Sequence, residues 1–564
     1  MQTLVRLLAT TAMLTACADR EEPYDPPSQD GTLVYLTPTQ HLTRASLALR
    51  GQRPSIEDLE TIASDPTKLP GIVDRYLQDP AFGRTIRDLH NASLLLRVEQ
   101  GTFTYPALGT LEGITGAQMN GSLLEEPLRL IEDLVMNDRP YSEVVTADYT
   151  MADGIVATVW GLPHTGPTDR WERTAWTDGR GPAGVLASSV LYHRWRSAGA
   201  NYQRGRANLI SRAFLCHDFI HGDINIDTSI DLSDPDVVAN AVVENKSCAG
   251  CHQTLDPLAS FLFPFKNQIN SNQVDAYPVA YYDAGRIDLW RRTNKRPPLF
   301  FGQEAAGLAG LGQAIAADPR FSRCAASRFA SFFTEVPENQ LSGAWVARLQ
   351  QTFLDTAMNA KQLAKAVVLS DEFRVSHDTD PASAEGVVGA LKLSPEQMSR
   401  VYADLTGFTW NATSTAQIRN GMPIGTSNLL ESDFIGFRVL GGGIDSYFVT
   451  EPVHTSNATS SLVERMAAAQ AASFVVDHDA AAPAGARTLF VAADVTTIDE
   501  PAVRAQLAHL HARLYGELVS PDAAEVTESY TLFRDALAVP GVVPRRAWKL
   551  TLTAMLSDVR SLYY

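Results

Sequence analysis

One stretch of the chain has residue types and spacing that specify a reaction: Lys246-Ser247-Cys248-Ala249-Gly250-Cys251-His252. Two thiols three positions apart, with a histidine directly after them, match the attachment signature of a c-type haem. Both thiols add to porphyrin vinyl groups and the imidazole takes one axial position on iron. The spacing follows from the geometry, because a short helical turn offers two thioethers to one edge of the macrocycle and swings the next residue under the metal. Cys248 and Cys251 are therefore read as thioether donors and His252 as the proximal ligand. A disulfide, a redox dithiol and half a zinc site are the other chemistries open to such a run. A redox pair would begin a helix after a strand, and a zinc site would need a second ligand pair nearby; the sequence offers neither.

The N-terminus supplies the compartment that favours haem. Arg6 is a short positive region, Leu7 to Leu14 is mostly apolar, and Leu14-Thr15-Ala16-Cys17 resembles the lipobox cut by bacterial lipoprotein signal peptidase. Cys17 would then be the acylated first residue; the alternative is a plain secretory peptide followed by a chance cysteine. Ala18 follows, where lipoproteins retained in an inner membrane usually carry Asp, so an exported lipoprotein of the outer membrane is expected. No other stretch approaches the roughly 20 apolar residues of a spanning helix. Of the five cysteines, Cys17 is assigned to lipid and Cys248 and Cys251 to haem, leaving Cys216 and Cys324 as a pair in an oxidising compartment or as two buried thiols.

The remaining 564-residue chain must position this motif, and it reads as mainly α and multidomain. A net charge of -17 argues against a nucleic-acid partner and against adsorption to an anionic membrane, leaving the lipid as the membrane anchor. The expected divisions are a signal peptide and lipobox over 1–17, a tether over 18–36, a helical module over 37–100 and a mixed helix and loop domain over 101–205. A haem-binding domain over 206–385 and a C-terminal helical domain over 386–564 follow. Ser55-Ile56-Glu57-Asp58 reads as a helix start after a break at Gly51 and Pro54, and Leu124 to Met136 as an amphipathic helix. Asn208 to Phe219 reads as a helix holding Cys216, and Ser461-Leu462-Val463-Glu464 as a capping box opening an alanine-rich helix. Gly436 to Val449 resembles short strands or loop. The acidic run Asp223 to Asp231 lacks an EF-hand glycine and closing Glu, so it reads as a solvated loop. Leu255, Leu258, Phe261, Leu262, Phe263 and Phe265 form an apolar run of the kind that walls a porphyrin or simply fills a core. A helical unit recurs, with closing signals Leu77-Gln78-Asp79, Leu369-Ser370-Asp371 and Leu556-Ser557-Asp558 at unequal spacings.

Several stretches together carry a family resemblance. Asp138-Arg139-Pro140-Tyr141, Ala147-Asp148-Tyr149-Thr150, Arg180-Gly181, His193, Arg204-Gly205 and Leu215-Cys216 are similar to the middle of the planctomycete-type cytochrome c domain proteins. The haem segment with Leu255-Asp256-Pro257-Leu258, and Phe321-Ser322-Arg323-Cys324 after it, extend the likeness over roughly residues 130 to 375. The resemblance implies an exported, single-haem architecture and supplies no substrate.

The expected function is an electron-transferring c-type cytochrome, its redox partner protein unknown. A peroxidase-like haem oxidoreductase and a haem-containing scaffold or binding lipoprotein are the alternatives. The sixth iron position separates them, since a carrier fills both axial sites and an enzyme keeps one open. No methionine lies between His252 and Met358, so His193, His217 and His221 are the nearer candidates. His193 leads, because the apolar run Val185 to Tyr192 delivers it and it falls in the matched block.

Overall fold

A computed structural model describes residues 31–99, 105–199, 201–220, 229–231, 233–269, 273–380, 386–418 and 421–564. The lipobox with Cys17, most of the tether, His221 and most of the acidic run lie outside the described residues. The fold is mainly α, with 56% helix against 7% strand.

The chain begins with β1 (Leu33–Tyr35) and a four-helix unit: α1 (Pro38–Arg50), α2 (Ile56–Ser64), α3 (Leu69–Gln78) and α4 (Pro80–Leu94). Thr37 with Gln40 forms a capping box at α1, Ser55 caps α2, and Asp79 caps α4, so these three helices start on a side chain that accepts an orphan N–H, while α3 has none. Then come α5 (Gly116–Leu123), α6 (Glu126–Met136), the small pair β2 (Thr150–Ala152) and β3 (Glu172–Thr174) around α7 (Gly154–Trp160), and α8 (Ser189–Arg194). The motif region holds α9 (Arg204–Leu215), α10 (Pro235–Glu244), α11 (Lys246–Ser260), α12 (Trp290–Thr293) and the hairpin β4 (Leu299–Phe300) with β5 (Gln303–Glu304). A second helical unit follows: α13 (Gly307–Ala317), α14 (Pro319–Thr334), α15 (Gly343–Asp355), α16 (Ala360–Val368) and α17 (Asp371–Arg374). It closes with β6 (Val375–Asp378), antiparallel to β1.

The C-terminal part comprises α18 (Pro395–Thr406), the hairpin β7 (Asn411–Gln417) and β8 (Pro423–Asn428), α19 (Ala458–Ala481), α20 (Glu500–Tyr515), α21 (Ala524–Ala538), α22 (Pro544–Leu556) and α23 (Val559–Leu562). Three local expectations change. Asn457 caps α19 with Ser460 in the reciprocal position, so that helix opens one turn before Ser461. Residues 436–449 take the loop form of the two expected, while β7 and β8, in a Thr- and Ser-rich stretch of weak apolar alternation, form a hairpin not expected there. α9 starts at Arg204 and ends with Cys216 in the left-handed region (φ 49°), shorter at its C-terminus than the apolar pattern implies.

Two large cores divide the molecule. One runs from Leu42 to Phe373, with Met422 added from the C-terminal part, and joins both helical units to α11 and the segments between them. The other joins Leu47 to residues from Leu393 to Leu562. α1 serves both, burying Leu42, Ala45 and Leu49 in the first and Leu47 in the second. Its Arg44, 1% exposed, donates to the carbonyls of Phe373, Val375 and Gly389, and thereby ties the first unit to the second and to the segment before α18.

Candidate functional site

The Cys-x-x-Cys-His residues occupy the first two turns of α11. Asn245 caps this helix, its Oδ1 accepting from the N–H groups of Ser247 and Cys248. Cys248 and Cys251 are then three residues apart on the helix, and His252 falls four after Cys248, on the same face. Both thiols are free; Cys251 is exposed and Cys248 half-buried. Among the described residues no group of three or more His, Cys, Asp or Glu side chains is placed to hold a metal ion, which disfavours a tetrahedral zinc site at this pair.

His252 Nδ1 lies 3.0 Å from Asp256 Oδ1, one helical turn on. Asp256 is fully buried and also accepts from Arg204, with Nε 2.6 Å from Oδ1 and Nη2 3.0 Å from Oδ2. Burial alone would raise this carboxyl, but the hydrogen bonds from His252 and Arg204 outweigh it and hold it below the usual carboxylate range. An ionised carboxylate has no proton to share, so Nδ1 carries the hydrogen and the lone pair of the imidazole sits on Nε2. A histidine ligand is commonly oriented in this way, with the far nitrogen bonded to a carboxylate. The thiols, the directed Nε2 and the short helical register therefore fit a covalently held haem. Against α11 lies α10, whose Val237 and Val243 are exposed, offering apolar surface beside the motif.

The other sequence-predicted residues are distributed as follows. Cys216 and Cys324 form a disulfide with Cα atoms 5.3 Å apart, joining the end of α9 to α14. His193 lies in the last turn of α8 at 1% exposure; its Nδ1 is 3.2 Å from the Tyr105 hydroxyl and its ring packs on Tyr105 and Tyr281. α11 itself packs on α9, α10 and β4. His217 follows the disulfide and packs edge-on against Phe219 and Phe301; burial and then Arg320 lower its pKa. Met358 is partly buried in the first core. The apolar run after the motif is core: Leu258, Phe261, Leu262 and Phe265 are at most 1% exposed, and Phe265 lies 3.9 Å from the Tyr192 ring centre. It anchors the motif helix in the first core.

Asp256 and its Arg204 partner were not singled out from the sequence as a unit. The available signal was a carboxylate four residues after His252, which is a contact only if the helix continues through Pro257; α11 does so. Comparison of the chain with protein-family models, with curated proteins and with solved structures finds no match.

Proposed function

We propose that this chain is an exported c-type cytochrome of the planctomycete-type cytochrome c domain kind, holding one haem through Cys248 and Cys251 with His252 Nε2 as axial ligand. The observation that supports this most is the His252–Asp256–Arg204 chain, which fixes the tautomer a ligand needs in a sequence context that also supplies two free thiols. When bound, the haem supplies a one-electron couple. The protein's part is to present the thiols near solvent, orient the imidazole and bury the counter-charge. Cys251 is exposed, so a haem held there would be within reach of an electron partner, which supports electron transfer at a membrane to which Cys17 would tether the chain.

A second reading, a haem oxidoreductase with an open sixth site, has its own support. Asp256 makes the His252 imidazole a stronger donor, and His193, the ligand first expected from sequence, is engaged by Tyr105. Expression with a haem-maturation system, followed by acidic acetone extraction and intact mass measurement, tests the common part. One haem mass should stay on the wild type and none on a Cys248→Ala, Cys251→Ala double variant. Loss of haem from the wild type on extraction would refute the assignment. Carbon monoxide then divides the two roles: a reduced spectrum that does not respond favours the carrier, and one that shifts at once favours the oxidoreductase.

A further inference from the structure

A cavity of 360 Å³ lies where the first helical unit meets the C-terminal part, far in sequence from the motif. Its walls come from α4, the residues after it, α5, α6, α18 and the loop after β8, and they carry six arginines against five acids. Most of these charges are mutually committed. Arg97 pairs with Asp88 and Glu125, Arg87 with Glu125 and Glu132, and Arg400 with Asp88. Arg129 pairs with Glu132 and Arg438 with Asp433.

Outside that network Glu99 accepts from Ser432 and the Phe434 N–H and Glu431 from Asn428, which leaves Arg84, Asn120 and Glu396. Arg84 is half-buried and has no ion pair or hydrogen bond among the described residues, although it shares the space with Arg87 and Arg400. Burial, then repulsion from those two arginines, pulls its guanidinium below the ordinary value. Asp79 and Asp88 offset part of that repulsion, but neither makes an ion pair with Arg84, so the guanidinium still has room for an anion of its own. Asn120 is 3% exposed; its amide donates to the Glu99 carbonyl, but Oδ1 has no donor. A buried acceptor without a donor costs about 1 to 3 kcal/mol, so the position calls for a hydroxyl or similar group. Glu396 makes no side-chain hydrogen bond to another residue, and burial lifts its carboxyl above the usual range against the pull of Arg438. The three unmet demands are an anion for Arg84, a donor for Asn120 and a hydroxyl for Glu396.

We propose that this cavity binds a small hydroxylated anion, either a sugar acid or a sugar phosphate, with the anionic group on Arg84 and hydroxyls on Asn120 and Glu396. The site is independent of the haem assignment, since none of its lining residues belongs to α11 or to the His252–Asp256–Arg204 chain. Because it spans both cores, occupancy would also clamp the C-terminal part to the first helical unit.

Isothermal titration of the full-length protein with glucuronate and with glucose 6-phosphate tests this, with glucose and inorganic phosphate as partial ligands. At least one anionic sugar should bind about tenfold or more tighter than both glucose and phosphate. The stronger of the two identifies the anion as carboxylate or phosphate. Arg84→Ala should weaken that binding about tenfold or more, while Arg84→Lys restores part of it; the wild-type melting temperature of both variants in ligand-free buffer guards against misfolding. No heat from either anionic sugar at about 10 mM would overturn the proposal. Equal binding of inorganic phosphate and glucose 6-phosphate would overturn its hydroxyl half, and binding indifferent to Arg84→Ala would overturn the site.

Discussion

At residue scale, the buried histidines give the molecule an acid limit. His90 holds the Ile86 carbonyl through Nδ1 and meets the Tyr141 hydroxyl at Nε2, an arrangement that suits only the neutral ring. Burial lowers both His90 and His41 to about 4. The unfolded chain takes up these protons below about 6.5 while the folded chain refuses them, so stability present above 6.5 is lost as the pH falls toward 4. Glu126 opposes this. Its carboxyl, raised by burial to about 7 despite hydroxyls from Ser188 and Thr150, contributes stability that is present below about 4.5 and lost as the pH rises through 7. His41 and His90 outweigh Glu126, so these three groups together contribute a net loss on acidification between pH 6.5 and 4. Urea unfolding at pH 7, 5.5 and 4.5 should show that slope, and the His41→Gln, His90→Gln double variant should flatten or reverse it; an unchanged slope would rule these residues out. Asp256 belongs to this scale as well. Asp256→Asn keeps a hydrogen-bond acceptor for His252 but removes its charge, so the midpoint potential of the haem protein should rise by about 60 mV or more, the one-electron equivalent of a tenfold effect. A potential unchanged in a variant that still retains haem would show that Asp256 is merely structural.

At element scale, the recurring helical unit has a backbone signature that its sequence shows only in part. The first helix of each copy ends in a left-handed residue: Gly51 (φ 62°) after α1, Glu335 (φ 55°) after α14 and Gly516 (φ 74°) after α20. Pro54, Pro337 and Pro521 follow, then further helices, and Asp79, Ser370 and Asp558 cap the last helix of each copy. The closing Asp and the prolines were legible because caps and breakers are local chemistry. Glu335 hid the shared turn, since a glutamate in the left-handed region gives no sequence signal; contacts to His454 and the Lys392 N–H hold it there. Where glycine does stand, it matters. Gly516→Ala would strain the backbone and set a Cβ 2.5 Å from Thr43 Oγ1, so it should cost about 1 to 3 kcal/mol. Adding Thr43→Ala should recover only the contact share, and full recovery would mean that the backbone conformation is not the cause. The motif helix shows the opposite balance: its thiols and histidine were plain, but Arg204 lies 52 residues from Asp256, and only the packing of α9 on α11 makes them partners.

At the scale of the whole molecule, α1 and its contacts join what the sequence divides. The segments 37–100, 101–205 and 206–385 share one core, and composition could not show this because core membership is decided by long-range pairing. The break near 386 was readable as small residues between two apolar patterns, and it falls between the cores. Among the described residues no helix is long and apolar enough to cross a membrane. The Cys216–Cys324 bond closes a loop over a sequence separation of 108, for which the chain-entropy account gives about 4 to 5 kcal/mol. A Cys216→Ala, Cys324→Ala variant should lose a few kcal/mol in urea unfolding, and stability equal to the wild type would show that the bond constrains little.

That bond also makes the motif part of a covalent ring. Residues 217–323, with α10 and α11 among them, are strung between the two bonded cysteines. A single protease cut anywhere along this arc opens the ring without releasing a fragment. The nicked molecule should migrate as one band before reduction and as two after it, with haem staining, if the thioethers form, confined to the piece that contains Cys248 and Cys251. A cut in the arc bearing the motif thus leaves both of its ends fastened to the same body, and its core residues still packed there.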